Sequence, residues 1–186
     1  PSGRFAYVAN SGTSNVSAFT IDGATGTLTA VGGSPFAAGS LTTSVAVDPS
    51  GRFAYAANRG ANSLSAYTIN GTTGALTPVA GSPFAAGTSP QVVTVDPIGR
   101  FVYVANLNSN NVSAYTIDGT TGALTPVVGS PFATGTIPRD IVVDPSGRFV
   151  YVANRLSDNV SAYAINGTTG ALTAVVGSPY AVGSGP

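Results

Sequence analysis

Six amino acids are missing from this chain: it has no Lys, Glu, His, Cys, Met or Trp. Without Cys there is no disulfide framework, no thiolate metal site and no thiol nucleophile. Without His, the commonest general base and the commonest metal ligand are gone. Charge is scarce as well. Seven Arg balance seven Asp, and charged residues make up 8% of the 186 residues, against roughly 25% in an average globular chain. A neutral chain with no basic run excludes nucleic acid and anionic membrane surfaces as expected partners. No apolar run approaches the roughly 20 residues that span a bilayer. The chain has neither an initiator Met nor a charged stretch leading into an apolar one. The expectation is a processed, excised or constructed piece with no signal peptide.

What the chain does have is repetition. PSGRFAYVAN opens at Pro1, PSGRFAYAAN at Pro49, PIGRFVYVAN at Pro97 and PSGRFVYVAN at Pro145, a spacing of 48 residues each time. The units are 1–48, 49–96, 97–144 and 145–186, and 21 of the 42 positions common to all four are identical. Within a unit the pattern is that of strands. Gln91 to Asp96 is a short β-branched run, as in a buried strand, and Asp96-Pro97-Ile98-Gly99 supplies turn chemistry. Arg100 to Asn106 reads as a second strand, and Val112 to Ile117 as a third with half-buried alternation. Asp118 to Gly122 makes another turn, Ala123 to Val128 a fourth strand, and Gly129-Ser130-Pro131-Phe132 leads outward to the next unit. Gly and Pro punctuation leaves no room for a helix.

Four short antiparallel strands in a 48-residue repeat fit a propeller blade, for which about 40–50 residues is usual. The expected fold is all-β: a β-propeller of four tandem four-stranded blades. The inner strand type occurs only at 43–48, 91–96 and 139–144, so the first blade lacks it. Open blade flanks and bare strand edges need cover. The expected partners are therefore further copies, two chains in one ring or a filament, or the missing blades of a longer chain.

Tyr7-Val8-Ala9-Asn10, Tyr103-Val104-Ala105-Asn106 and Tyr151-Val152-Ala153-Asn154, with Tyr55-Ala56-Ala57-Asn58 as a variant, resemble the YVTN repeat. Together with Thr-Gly-Ala-Leu-Thr-Pro-Val and Gly-Ser-Pro-Phe, they make the whole chain similar to bacterial lactonase-like (6-phosphogluconolactonase-type) propellers. That resemblance implies seven blades and, for some members, sugar-lactone hydrolysis. This chain has four units, and no position offers the His or Glu from which a family catalytic residue could be carried over.

Variation between units falls on one face, in the loops at 11–14, 59–62, 107–110 and 155–158 and in the crossovers into the inner strands. Thr43, Gln91, Arg139 and Asp140 are thereby expected near the mouth of the central channel, where a ligand would be bound. The candidate ligand-binding residues are Arg59, Gln91, Asn108, Arg139, Asp140, Arg155 and Asp158, of which only Asp140 and Asp158 offer an acid or base. Arg139 and Asp140 could hold a carboxylate or a sugar hydroxyl, but a solvated pair at a loop end is the simpler account of them. The constant Asp48, Asp96 and Asp144, four residues before Arg52, Arg100 and Arg148, are expected to form a cross-turn ion pair in each blade. The Asp or Asn before Gly in the other turn fits Asx chemistry rather than a calcium loop.

No cofactor and no metal site is expected. The expected function is a non-enzymatic scaffold or binding module, secreted or on a bacterial cell surface, with self-assembly through incomplete blades and a small-molecule or glycan ligand as its expected partners. Two alternatives stand beside it: a designed or reconstructed repeat protein, and a fragment of a lactonase-like hydrolase.

Overall fold

Strand-length apolar runs separated by Pro-Ser-Gly and Gly-Thr-Thr-Gly turns fold each unit into a meander. The computed structural model describes residues 3–186; Pro1 and Ser2, which open the first unit, lie outside the described residues. The first sheet holds β1 (Phe5–Asn10), β2 (Asn15–Ile21), β3 (Leu28–Ala30) and β4 (Phe36–Ala37). The second holds β5 (Thr42–Val47), β6 (Phe53–Asn58), β7 (Ser63–Ile69), β8 (Leu76–Pro78) and β9 (Phe84–Ala85). The third runs through β10 (Pro90–Val95), β11 (Phe101–Asn106), β12 (Asn111–Ile117), β13 (Leu124–Pro126) and β14 (Phe132–Ala133). The fourth runs through β15 (Pro138–Val143), β16 (Phe149–Asn154), β17 (Asn159–Ile165), β18 (Leu172–Ala174) and β19 (Tyr180–Ala181). All pairings are antiparallel, in the order β10-β11-β12-β13 with β14 beside β12, and likewise in the other blades. Among the described residues β1 pairs with β2 alone, and no inner strand lies on its other side.

Three expectations need adjustment. Inner strands begin one residue earlier, at Thr42, Pro90 and Pro138, and stop before the Asp, which belongs to the turn. The fourth strand keeps only three residues, because Gly122 and Gly129 curl away with positive φ at its two ends. The Gly-Ser-Pro-Phe segment does more than connect: Phe132 and Ala133 pair with Val112 and Asn111, and Ser130 Oγ accepts the Ala114 N–H at 2.9 Å.

The core lies between blades rather than inside one. Phe53, Tyr55, Ala57 and Leu64 of the second blade pack on Val93, Val102, Val104, Tyr115 and Leu124 of the third. Every residue of β6 and β11 is buried, whereas β16 alternates. Tyr103 is 0% exposed and Tyr151, the same residue one blade on, is 39% exposed. Their sequences match, so what differs is the presence of a following blade.

The seam between blades has a polar part that the expected ion pair misassigned. Asp96 Oδ1 accepts the backbone N–H groups of Arg100 (2.6 Å) and Phe101 (2.7 Å), and Asp48 does the same for Arg52 and Phe53. With the carboxylate spent on the turn's own amides, the guanidinium crosses to the next blade. Arg4 donates to Gly71 O (2.5 Å), Arg52 to Gly119 O (3.0 Å) and Arg100 to Gly167 O (2.7 Å). Each stacks over the Phe that follows it, at 5.2, 4.9 and 5.1 Å from the ring centroid. Tyr7, Tyr55 and Tyr103 donate to Gly74, Gly122 and Gly170 carbonyls at 2.9, 3.1 and 2.9 Å. In return Tyr67 and Tyr115 donate back to Ala37 and Ala85 of the preceding blade, both at 2.6 Å. Burial pushes the Tyr7 hydroxyl up to about 12 and raises Tyr55 and Tyr103 as well, so all three remain donors at any physiological pH.

The same turn chemistry makes stability acid-sensitive. A hydrogen bond from the Ser146 hydroxyl, reinforced by the Phe149, Arg148 and Ser146 amides, holds Asp144 at about 2, below its ordinary 3.8. Asp22 and Asp118 are lowered by the amides of Thr25 and Thr121, each joined by further bonds from its own turn. A carboxyl depressed in the folded state stabilises above its unfolded value and loses that contribution as pH falls through the folded one. The melting temperature is therefore expected to hold down to about pH 4 and fall towards pH 2. Asp144→Asn should show a shallower fall in the same titration; an unchanged slope would refute the assignment.

Candidate functional site

The variable face is built on two local devices. The first is a β-bulge at the start of every inner strand. Thr42, Pro90 and Pro138 pair with Asn58, Asn106 and Asn154, and the next pairs are Ser44, Val92 and Asp140 with Ala57, Ala105 and Ala153. The unpaired extra residue is Thr43, Gln91 or Arg139. Bulges re-aim a side chain out of the ladder and are common beside active sites. Adjacent inner strands meet there: Thr43 Oγ1 donates to Gln91 O at 2.8 Å.

The second device fixes the loops. Ser14, Asn62, Asn110 and Asp158 all have left-handed φ, from 47° to 57°. Each accepts the backbone N–H of a residue in the crossover: Leu41 at 3.1 Å, Ser89 at 2.9 Å, Ile137 at 2.8 Å and Gly185 at 2.8 Å. Beneath them Asn58, Asn106 and Asn154 are fully buried and tie the second strand to Ser65, Ser113 and Ser161 of the third. The Thr42 hydroxyl also donates to Asn58 Oδ1; Pro90 and Pro138 stand at that place in the later blades.

The candidate residues fall into three groups on this frame. Arg59 and Gln91 line one pocket of about 360 Å³ with Ser11, Leu41, Thr42 and Thr43. Arg155 and Asp158 line another of about 240 Å³, with Ile137, Leu156 and Ser184. Arg139 and Asp140 lie exposed on β15 and line neither, Asp140 Oδ1 accepting the Ile141 N–H at 2.8 Å. Asn108 is exposed and donates to Ser89 Oγ at 2.9 Å. Asp158 uses one carboxylate oxygen as the same loop pin that Asn62 and Asn110 provide. Sequence reasoning missed that role, although the Ser, Asn, Asn, Asp series at one aligned position carries its signature.

A cavity of about 280 Å³ on the opposite face, lined by Arg4, Phe5, Tyr7, Val47, Arg52 and Ile69, lies beside the bare edge of β1. It carries no acid–base pair. No helix among the described residues is long and apolar enough to cross a membrane.

Comparison with known proteins bears on what this face does. A family model, the seven-bladed β-propeller lactonases, matches residues 1–134 and 128–185. No curated protein sequence matches. Among solved structures, a candidate 6-phosphogluconolactonase of Bacteroides uniformis superposes with a TM-score of 0.88 at 20% identity, covering 100% of this chain and 54% of its own. A second, from Bacteroides fragilis, gives 0.84 at 24% identity with the same coverage. The periplasmic gluconolactonase of Pseudomonas aeruginosa gives 0.82 at 24% identity, covering 100% of this chain and 53% of its own. The chain thus spans about half the length of these structures.

The family match overturns the expectation of a non-enzymatic scaffold or binding module, and with it the expectation that the protein is no enzyme. The absence of His and Glu from these four units was read as counting against catalysis. Over about half of a ring, their absence is weak evidence against catalysis.

Proposed function

Because the chain belongs to the lactonase family of seven-bladed β-propellers, we propose that it supplies four blades of a sugar-lactone hydrolase whose substrate sits at the channel mouth on the variable face. The observation that carries this reading is the row of bulges that turns Thr43, Gln91 and Arg139, one per blade, out of the inner strands.

A lactone is a cyclic ester. Water adds to its carbonyl carbon, the ring C–O bond breaks, and a hydroxy acid leaves. Asp140, adjacent to Arg139, takes the proton from the attacking water and returns it to the departing alkoxide oxygen. The Arg139 guanidinium stabilises the carbonyl oxygen as it gains negative charge. Arg59, Gln91 and Thr43 offer five-donor, amide and hydroxyl groups to the sugar's hydroxyls or acidic substituent. Action outside the cytoplasm belongs to the same reading, supported by the periplasmic gluconolactonase among the similar folds; recovery in the cytoplasmic fraction of its host would remove that part.

The test is acid release from glucono-δ-lactone and from its 6-phosphate in weak buffer. The chain is expected to exceed the spontaneous rate on at least one of them. Asp140→Asn should lower kcat by about 10²–10⁴-fold, and Arg139→Gln should lower it as well. Spontaneous rates on both lactones, or full activity in Asp140→Asn, would overturn the assignment.

A further inference from the structure

Three units open on an Asp-Pro bond, at Asp48–Pro49, Asp96–Pro97 and Asp144–Pro145. The surrounding sequence is Val-Asp-Pro-Ser-Gly-Arg-Phe at the first and third, and Val-Asp-Pro-Ile-Gly-Arg-Phe at the second. That single exchange changes what the carboxylate holds. Asp48 Oδ2 accepts the Ser50 hydroxyl and, at 3.1 Å, the Ser50 N–H. Asp144 Oδ2 accepts the same two groups of Ser146. Ile98 has no hydroxyl to give, and Asp96 Oδ2 is buried with no hydrogen-bond partner among the described residues. Such a buried, unpaired oxygen is uncommon and asks for a cause or a use. Depth does not separate the sites, since Asp96 is 1% exposed and Asp48 3%. Neighbouring donors are spent elsewhere: Arg100 on Gly167 O at 2.7 Å and Tyr103 on Gly170 O at 2.9 Å.

An Asp-Pro bond carries its own means of breaking. The carboxylate lies one methylene from the α-carbon and closes a five-membered ring on its own carbonyl. Proline contributes a tertiary amide nitrogen without an N–H, which leaves readily once protonated. At Asp96 the amides of Arg100 and Phe101 fix Oδ1 at 2.6 and 2.7 Å. The side chain is thus held beside the main chain while Oδ2 keeps its lone pairs.

We propose that Asp96–Pro97 is a self-cleavage site, opened in mild acid by Asp96 Oδ2, and that Ser50 and Ser146 protect the two sister bonds. Oδ2 adds to the Asp96 carbonyl carbon. The C–N bond to Pro97 breaks, its electron pair passing to the nitrogen, which takes a proton from the acid medium. Water then opens the cyclic anhydride left on Asp96. One water is consumed, and Asp96 gains a terminal carboxyl and Pro97 a terminal amine. Ring closure needs no water at the buried turn; water enters only after the bond has parted. The cut falls between β10 and β11, which stay paired from Pro90 to Val95. Arg52 to Gly119 O and Tyr55 to Gly122 O also join the two pieces. The cleaved protein therefore holds together until it is denatured.

The test is a warm incubation of the folded chain at about pH 4, where the fold is expected to be intact, followed by mass spectrometry under denaturing conditions. Pieces 1–96 and 97–186 are expected to form about tenfold or more faster than pieces from either sister bond, the effect of freeing a charged acceptor from its hydrogen bonds. In urea, where the turns are gone, the three bonds should break at equal rates. Ser50→Ala should raise cleavage at Asp48–Pro49 to the Asp96–Pro97 rate, and Ile98→Ser should lower the latter to the protected rate. Both side chains are exposed, and circular dichroism checks that each variant folds. An uncut chain, equal rates at the three bonds in the folded protein, the same preference for Asp96 in urea, or no response to Ile98→Ser would each overturn the inference. None of these readings depends on lactone hydrolysis.

Discussion

Replacing Tyr103 by Ala is expected to cost about 3–5 kcal/mol of folding stability, while Tyr151→Ala in the same dilute chain costs no more than about 1 kcal/mol. The two residues sit at the same place in consecutive units. Tyr103 is fully buried among Phe101, Val112 and Val150 of the seam with the fourth blade, and its hydroxyl donates to Gly170 O at 2.9 Å. Removing the ring opens a cavity the rigid sheets close poorly and leaves a buried carbonyl without its donor. Tyr151 is 39% exposed, so water replaces what is lost. Urea unfolding of both variants beside the parent chain measures the difference. Equal losses would mean that blade-to-blade packing is not where the stability lies.

Gly122→Ala should cost about 2–4 kcal/mol, from two separable causes. An L side chain at φ 77° is strained by about 1–2 kcal/mol, and the new Cβ would sit 2.4 Å from Phe53 Cδ1. Phe53 is packed among buried neighbours, so it has little freedom to retreat. Gly26→Ala isolates the first cause: its φ is 73° and nothing is near. The same denaturation experiment on both gives the packing contribution by difference, and it should be positive by more than about 1 kcal/mol. A zero difference would show that the ring gives way.

The blades and their strands were legible because a fixed period of 48 residues lets each unit confirm the others. The missing inner strand of the first blade was legible for the same reason. Other features left no such trace. Phe132–Ala133 is too short to show any alternation, and it pairs with β12 just beyond the point where the Ser130 hydroxyl bonds that strand. The Asp96–Arg100 ion pair looked natural at a spacing of four. The true partner of Arg100 is 67 residues ahead, one unit plus the distance between two constant turns, and propensity reasoning does not reach that far.

At the site, the expected place of Thr43, Gln91 and Arg139 followed from the strand order. The bulge that frees them did not, because one unpaired residue changes neither period nor composition. The loop pins at Ser14, Asn62, Asn110 and Asp158 were hidden by their variation: a hydroxyl, an amide and a carboxylate do one job through one accepting oxygen. Whether the protein is an enzyme was the least legible point, since a residue type absent from these blades can be present in others.

The seam has one more consequence, for how such a chain changes over generations. Each seam takes its left half from one unit and its right half from the next, and both halves are spelled almost alike in every unit, Phe19 in place of the seam tyrosine being the main departure. Recombination between near-identical segments can therefore delete or duplicate a whole unit and leave every remaining join with its proper mate. Copy number is free to drift while the chemistry of the joins stays put, and selection on the channel is left to act through the few letters that differ at each rim.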